Sequence, residues 1–301
     1  MGGRIAPRPN NVSRMDFQGI REDDAWALVG AAARAARRAG RTLLDGPGTM
    51  AAARAKAGTH AHDVVTEADA AAEALIRAEL TGACPGSVVV GEEGGAGESG
   101  DGPGRDVRWY VDPIDGTHNF SRGLPLFCVS IGVTVRGEPV GGCVYEPARD
   151  ETYTAAGGRL LRGGRPVPPA PARAVPMVLT DLPRAGTVPD PGELALFTEL
   201  LAAADVRRIG SAALALAYVA TGRADMAVTP DAYAWDCAAG RVLVTASGGT
   251  FAAVPAEPSV RRPGAFAAWR PGQDGLGASV VAALEGFPFL QGWLEDDNSL
   301  A

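Results

Sequence analysis

The 301-residue chain predicts a mixed α and β fold, on three observations. An alanine-rich stretch near the N-terminus repeats its apolar residues at helical spacing. Several short apolar runs between residues 87 and 155 have the length and composition of strands. Beyond a Pro-rich joint at Gly163–Pro176, strand-like and helix-like segments alternate. With 46% hydrophobic residues, there is material for the core of one large domain or of two packed halves.

Taken in order, residues 1–20 mix Gly, Pro, Asn and Arg without periodicity and read as a flexible tail. A helix is expected from near Glu22, with apolar positions from Asp24 to Leu44 and a stop at Gly46-Pro47-Gly48. Residues 49–62 read as a loop or hairpin holding Arg54, Lys56, His60 and His62, and the histidines lack the partner cluster of a zinc site. Thr66-Glu67-Ala68-Asp69 has the form of a capping box ahead of a helix at Ala70–Leu80.

Ser87–Val90 reads as a strand ending in Gly91-Glu92-Glu93-Gly94. Trp109–Val111 reads as a second, running into Asp112-Pro113-Ile114-Asp115-Gly116-Thr117, with the Gly-rich surface excursion Gly94–Asp106 between them. Val129–Arg136, Val140–Glu146 and Glu151–Ala155 follow as strands. Past the joint, helices are expected at Glu193–Ala204 and Ala212–Thr221, and a strand at Ala224–Val228. Asp236 then opens a helix that continues through Val242, Leu243 and Val244. The predicted division is a half at 21–162, a second half at 177–290 and a tail at 291–301. No internal repeat is evident.

A net charge of −7 and the lack of a basic stripe argue against nucleic acid or an anionic membrane as partner. No apolar run approaches the ~20 residues of a membrane span, and no signal-like start is present. A soluble, cytoplasmic protein is expected, with Cys84, Cys128, Cys143 and Cys237 as reduced thiols.

Chemistry concentrates at the acids that end the two strands. Asp112 and Asp115 offer hard anionic oxygens of the kind Mg²⁺ prefers, and the N–H groups of Gly116 and Thr117 form an anion seat where a helix begins. The residues alone leave alternatives: aspartates that only cap a helix, Glu92 as a loop acid, and Asp236 or Ser211 as N-caps. The order and spacing of Asp63–Asp69, Gly91-Glu92-Glu93, Asp112–Phe120 and Trp235–Gly240 resemble the inositol monophosphatase family of metal-dependent, lithium-sensitive phosphatases. The resemblance spans roughly residues 23 to 288.

It implies a layered α/β/α/β/α sandwich, usually a homodimer, with a cleft where the halves meet. Glu92, Asp112, the Ile114 carbonyl, Asp115 and Asp236 fall on metal-ligand positions for two or three Mg²⁺ ions. Paired cations about 3.5–4 Å apart clamp the attacking and leaving oxygens of an in-line displacement. Asp69 and Thr117 fall on the pair that orients the attacking water, beside Glu92, while Gly116 and Thr117 hold the phosphate. Within Ile209–Ala213, Gly210, Ser211 and Ala212 match a stretch whose amides meet substrate hydroxyls.

Substrate choice is less defined. Seven residues before Asp236, inositol phosphatases commonly carry an acid for the ring hydroxyls. Here Thr229 occupies that position, and Asp231 is a substitute two residues away. This lowers the expectation for myo-inositol phosphate itself and leaves other polyol phosphates, sugar phosphates, nucleotides or histidinol phosphate. Relatives acting on adenosine bisphosphates tend to carry Lys-Glu-Phe where this chain has His118-Asn119-Phe120. His118 is expected at the surface. Gly157-Gly158-Arg159-Leu160 departs from the family pattern and puts one β-turn in question. A non-catalytic binding paralogue would be expected to have lost a ligand, and none is lost.

Overall fold

The computed structural model describes residues 20–45, 54–55, 64–65, 67–97 and 102–291. The expectations for residues 1–19, the Gly46–Gly48 stop, Lys56, His60, His62, Thr66 and residues 292–301 fall outside these.

Helix α1 (Glu22–Asp45) buries Ala25, Val29, Ala32, Ala36, Ala39 and Leu43 along one stripe, three or four residues apart. Three acids in its first turn favour the positive end of the helix dipole. β1 (Arg54–Ala55) and β2 (Val64–Val65) form a short antiparallel pair, the hairpin of the two alternatives. α2 (Glu67–Ala83) starts before the expected Ala70, so Asp69 lies within its first turn. That is the physical meaning of a capping box, whose last residue already belongs to the helix.

β3 (Val88–Gly91), β4 (Gly95–Ala96), β5 (Val107–Asp115), the short helix α3 (Thr117–Ser121), β6 (Cys128–Val135), β7 (Glu138–Glu146), β8 (Glu151–Ala156), β9 (Arg159–Arg162) and β10 (Arg165–Pro166) follow. Their eight strands form one sheet in the order β10-β9-β8-β7-β6-β5-β3-β4. β3 and β5 run parallel and the other neighbours antiparallel. The turn at Gly157-Gly158 is intact and joins β8 to β9. β9 and β10 lie where no strand is expected: three arginines in six positions suit an exposed sheet edge and carry no strand signal.

The second sheet is built from β11 (Met177–Thr180), then α4 (Pro191–Ala203), β12 (Asp205–Arg207), α5 (Ala212–Ala220), β13 (Met226–Ala232), α6 (Ala234–Ala246), β14 (Thr250–Val254), β15 (Gly264–Trp269) and α7 (Asp274–Glu285). Its order is β12-β11-β13-β15-β14. β13 runs on past the expected Val228, taking in Pro230 at a register shift, the one setting in which a central strand tolerates proline.

The layers follow from which helix meets which sheet. α1 and α2 cover one face of the eight-stranded sheet, α5 and α6 fill the space between the sheets, and α4 and α7 lie outside the second sheet. This is the α/β/α/β/α sandwich. Three apolar cores fill its four interfaces, the middle one spanning both sides of the α5 and α6 layer. β6 shows how the alternation of a strand divides them. Val129, Ile131 and Val133 face the α1 and α2 side, while Cys128 faces the middle layer. Glycines let α6 lie directly on the strands. A Cβ on Gly132 would stand 2.5 Å from Cβ of Ala238, and one on Gly142 would stand 2.6 Å from the Ala239 carbonyl.

Candidate active site

In a regular strand, residues three apart face opposite sides of the sheet. Asp112 and Asp115 escape that rule through a bulge. Asp112 pairs with Ser130 and Asp115 with Cys128, so three steps on β5 match two on β6. The extra residue turns the strand so that both carboxylates face one side. Asp236, in the first turn of α6, completes the group, and one oxygen from each of Asp112, Asp115 and Asp236 lies within 4.8 Å of the others.

Asp115 is held by the second half of the chain. It accepts from Ser211 Oγ at 2.5 Å and from the amides of Ala212 at 3.1 Å, Ala213 at 2.7 Å and Leu214 at 3.3 Å. The Cys128 thiol adds a contact at 3.4 Å. Asp115 therefore caps α5 from across the site. Ser211 occupies the N-cap position but gives its proton to Asp115 and makes no capping bond of its own. Asp112 receives one local amide, Ile114 N–H to Oδ1 at 2.9 Å. Asp236 Oδ2 accepts from Tyr233 N–H at 2.6 Å, while Ser130 Oγ donates to the Trp235 carbonyl at 3.2 Å and pins this end of α6 to β6.

The electrostatics are unfavourable by themselves. Burial, and then the charges of Glu92, Asp115 and Asp236, push the Asp112 carboxyl well above the usual carboxylate range. Burial, and then Glu92 and Asp115, do the same to Asp236. Asp115 is raised by burial and pulled back by Ser211 and the α5 amides. Crowded acids with hard oxygens are the donor set a divalent cation neutralises, so these residues fit a metal centre.

Glu92 stands just beyond β3, anchored by its amide to the Val111 carbonyl at 3.1 Å. It lies outside the group of three but close enough for its charge to act on Asp112 and Asp236. Thr117 Oγ1 is 3.2 Å from Asp69 Oδ1 and 2.9 Å from the Ile114 carbonyl. Asp69 is fully buried. Gly116 turns the chain with φ 99°, and a Cβ there would stand 2.8 Å from the Leu126 carbonyl, so glycine alone fits. Thr229 is buried on β13, Asp231 beyond it is exposed, and Asp231's charge reaches Asp236. His118 is exposed.

Three residues that motif reading passed over brace the site. The Asn119 side-chain amide donates to the carbonyls of Leu126 and Ile209, both at 2.7 Å, joining the Gly116 turn to the Gly210 turn. Glu73, buried on α2, accepts the amides of Glu93 at 2.8 Å and Gly94 at 3.1 Å and pairs with Arg77 at 2.8 Å, which fixes the turn presenting Glu92. Asp181, at the end of β11, accepts the Gly210 amide at 3.2 Å. Only Asn119 sits inside a motif. The other two are single acids in ordinary helix and strand contexts.

A layered sandwich in which carboxylates of a first-sheet strand and of α6 in the middle layer converge is the arrangement of the metal-dependent phosphatases, hydrolases of phosphoric monoesters. Residues 27–283 match the inositol monophosphatase family, and the chain belongs to it. It is 39% identical over 240 residues to the inositol-1-monophosphatase of Mesorhizobium japonicum, covering 74% of this chain and 84% of that one. It is 37% identical over 237 residues to the Nus factor SuhB of Escherichia coli K12, covering 74% and 83%. The extragenic suppressor protein suhB of Bartonella henselae superposes with a TM-score of 0.73 at 31% identity, over 86% of this chain and 99% of that one. Among the described residues, no helix is long and apolar enough to cross a membrane.

Proposed function

We propose that the chain is a Mg²⁺-dependent phosphatase acting on a small hydroxylated phosphate monoester, a polyol or sugar phosphate of the inositol phosphate kind. The observation that carries this is the convergence of Asp112, Asp115 and Asp236, with Glu92 alongside. Glu92, Asp112, Asp115, Asp236 and the Ile114 carbonyl would hold the ions. When bound, Mg²⁺ supplies positive charge against the carboxylates and phosphate and acidifies the water that attacks.

The remaining work belongs to the chain's own groups. Thr117, within reach of the buried Asp69 carboxylate, orients the nucleophile, and Asp69 receives its proton. The amides of Gly116 and Thr117, at a glycine-opened turn, face the phosphate. Gly210, Ser211 and Ala212 border the place of the leaving alcohol, with the Ser211 hydroxyl and the Ala212 amide engaged by Asp115 until substrate hydroxyls compete for them.

Phosphate release over a panel of polyol, sugar, histidinol and nucleotide monophosphates tests the reading. Release should require Mg²⁺, stop with EDTA and favour a hydroxylated ester. A preference for histidinol phosphate or a nucleotide would replace the substrate class, and no release from any ester would remove the activity.

A further inference from the structure

The β11–β13 ladder ends at a carboxylate. Thr180 pairs with Val228, and the Asp181 amide donates to the Val228 carbonyl at 3.3 Å. The ladder stops there because Pro230 has no amide proton to return the next bond. The Arg208 guanidinium donates to the Asp181 carbonyl at 3.3 Å in its place. The last pair of the ladder is Thr180 and Val228, and extending its register by one step sets Asp181 level with Thr229 and on the same face.

The side chain is partly buried. Its Oδ1 accepts the Gly210 amide, which ties it to the turn whose following residues hold Asp115. Among the described residues none donates to Oδ2. Burial, and next the charge of Asp115, push its carboxyl up to about 6, against the pull of Arg208 and the Gly210 amide. The group therefore lies within electrostatic reach of the candidate centre, with one oxygen committed to the protein and one available.

We propose that Asp181 is a specificity-determining residue, accepting hydrogen bonds from hydroxyls of the leaving alcohol in place of the acid that position 229 lacks. This rests on the phosphatase reading of the site. A carboxylate bonds hydroxyls about twice as strongly as a neutral acceptor such as Thr229. If Asp181 were only a brace for the Gly210 turn, its loss would weaken every substrate alike.

The test uses the full chain with Mg²⁺, myo-inositol 1-phosphate, and phenyl phosphate, whose leaving group carries no neighbouring hydroxyls. Asp181→Asn keeps an oxygen for the Gly210 amide. It should lower kcat/KM for the inositol ester about tenfold, mainly through KM, the equivalent of about 1.4 kcal/mol. Phenyl phosphate should stay within about twofold. Adding Thr229→Asp to that variant should restore part of the loss, because the carboxylate returns on the adjacent strand. An equal fall on both esters, no fall on the inositol ester, or a wild type that hydrolyses phenyl phosphate alone would overturn the role of Asp181 and leave the phosphatase reading standing. A wild type inactive on both would overturn that reading and this proposal with it.

Discussion

Asp112 and Asp115 share a strand and a bulge and are nearly equally buried, at 2% and 6% exposure, yet the protein treats their charges differently. Asp115 collects a hydroxyl, a thiol and the amides at the start of α5. Asp112 has one neighbouring amide and is surrounded by Glu92, Asp115 and Asp236. Two acids in one motif thus carry different duties. Asp115 joins the first sheet to α5 whether or not a cation is present, whereas the charge of Asp112 would be compensated chiefly by a cation bound there.

Replacement of the less supported acid should have the largest effect. Asp112→Asn conserves size and removes a charge central to the cluster, so turnover with Mg²⁺ should fall at least about a thousandfold, on the scale of 4 kcal/mol. Calorimetric titration should show weakened Mg²⁺ binding. Near wild-type turnover would end the assignment of Asp112 as a ligand.

Thr117→Ala is expected to come next. A group that acts mainly in the transition state lowers kcat, here about a hundredfold, with little change in KM. Thr117→Ser should retain part of the rate. Equal turnover in Ala and wild type would leave the hydroxyl a structural tie to Ile114.

The smallest effect separates the two aspartates most directly and is read without activity. In EDTA, Asp115→Ala strands Ser211 and the α5 amides and should cost about 2 kcal/mol of stability. Asp112→Asn should leave the metal-free protein as stable as wild type or more so. The sign with pH is fixed. Asp112 has a raised carboxyl in the folded state, so its contribution is fully present below the unfolded carboxylate range near 4 and is lost as pH rises through the folded value. The wild type should therefore lose stability on going from pH 4 upward that Asp112→Asn keeps. Urea midpoints at several pH values give both comparisons, and parallel curves for the two variants would erase the distinction.

The sequence makes Asp112–Thr117 conspicuous because its carboxylates, glycine and threonine are contiguous. The bulge that makes both acids converge is not visible there, since it exists only in register with β6. Asp181 and Glu73 escape notice for a related reason: each is one acid whose partners lie at Gly210 and at Glu93-Gly94, distant in the chain. β15 gives no strand signal either. Gly264-Ala265-Phe266-Ala267-Ala268-Trp269 has no β-branched residue, and its small alanines are buried on both faces, under α7 on one side and under α5 and α6 on the other. Helices α1, α4 and α6 are readable because first-turn acids are a local property, and α5 because an unbroken apolar run follows Ser211.

The contact of α6 with the eight-stranded sheet gives the molecule a second kind of fragility. Asp236 rides on a helix seated on bare backbone at Gly132 and Gly142, with no room for a methyl group. The span between Asp236 and the β5 aspartates is thus gauged by atoms that are missing. Random mutagenesis scored for lost activity should strike those two glycines about as hard as the acids, although neither has a functional group, and the damaged proteins would carry every carboxylate at the wrong reach.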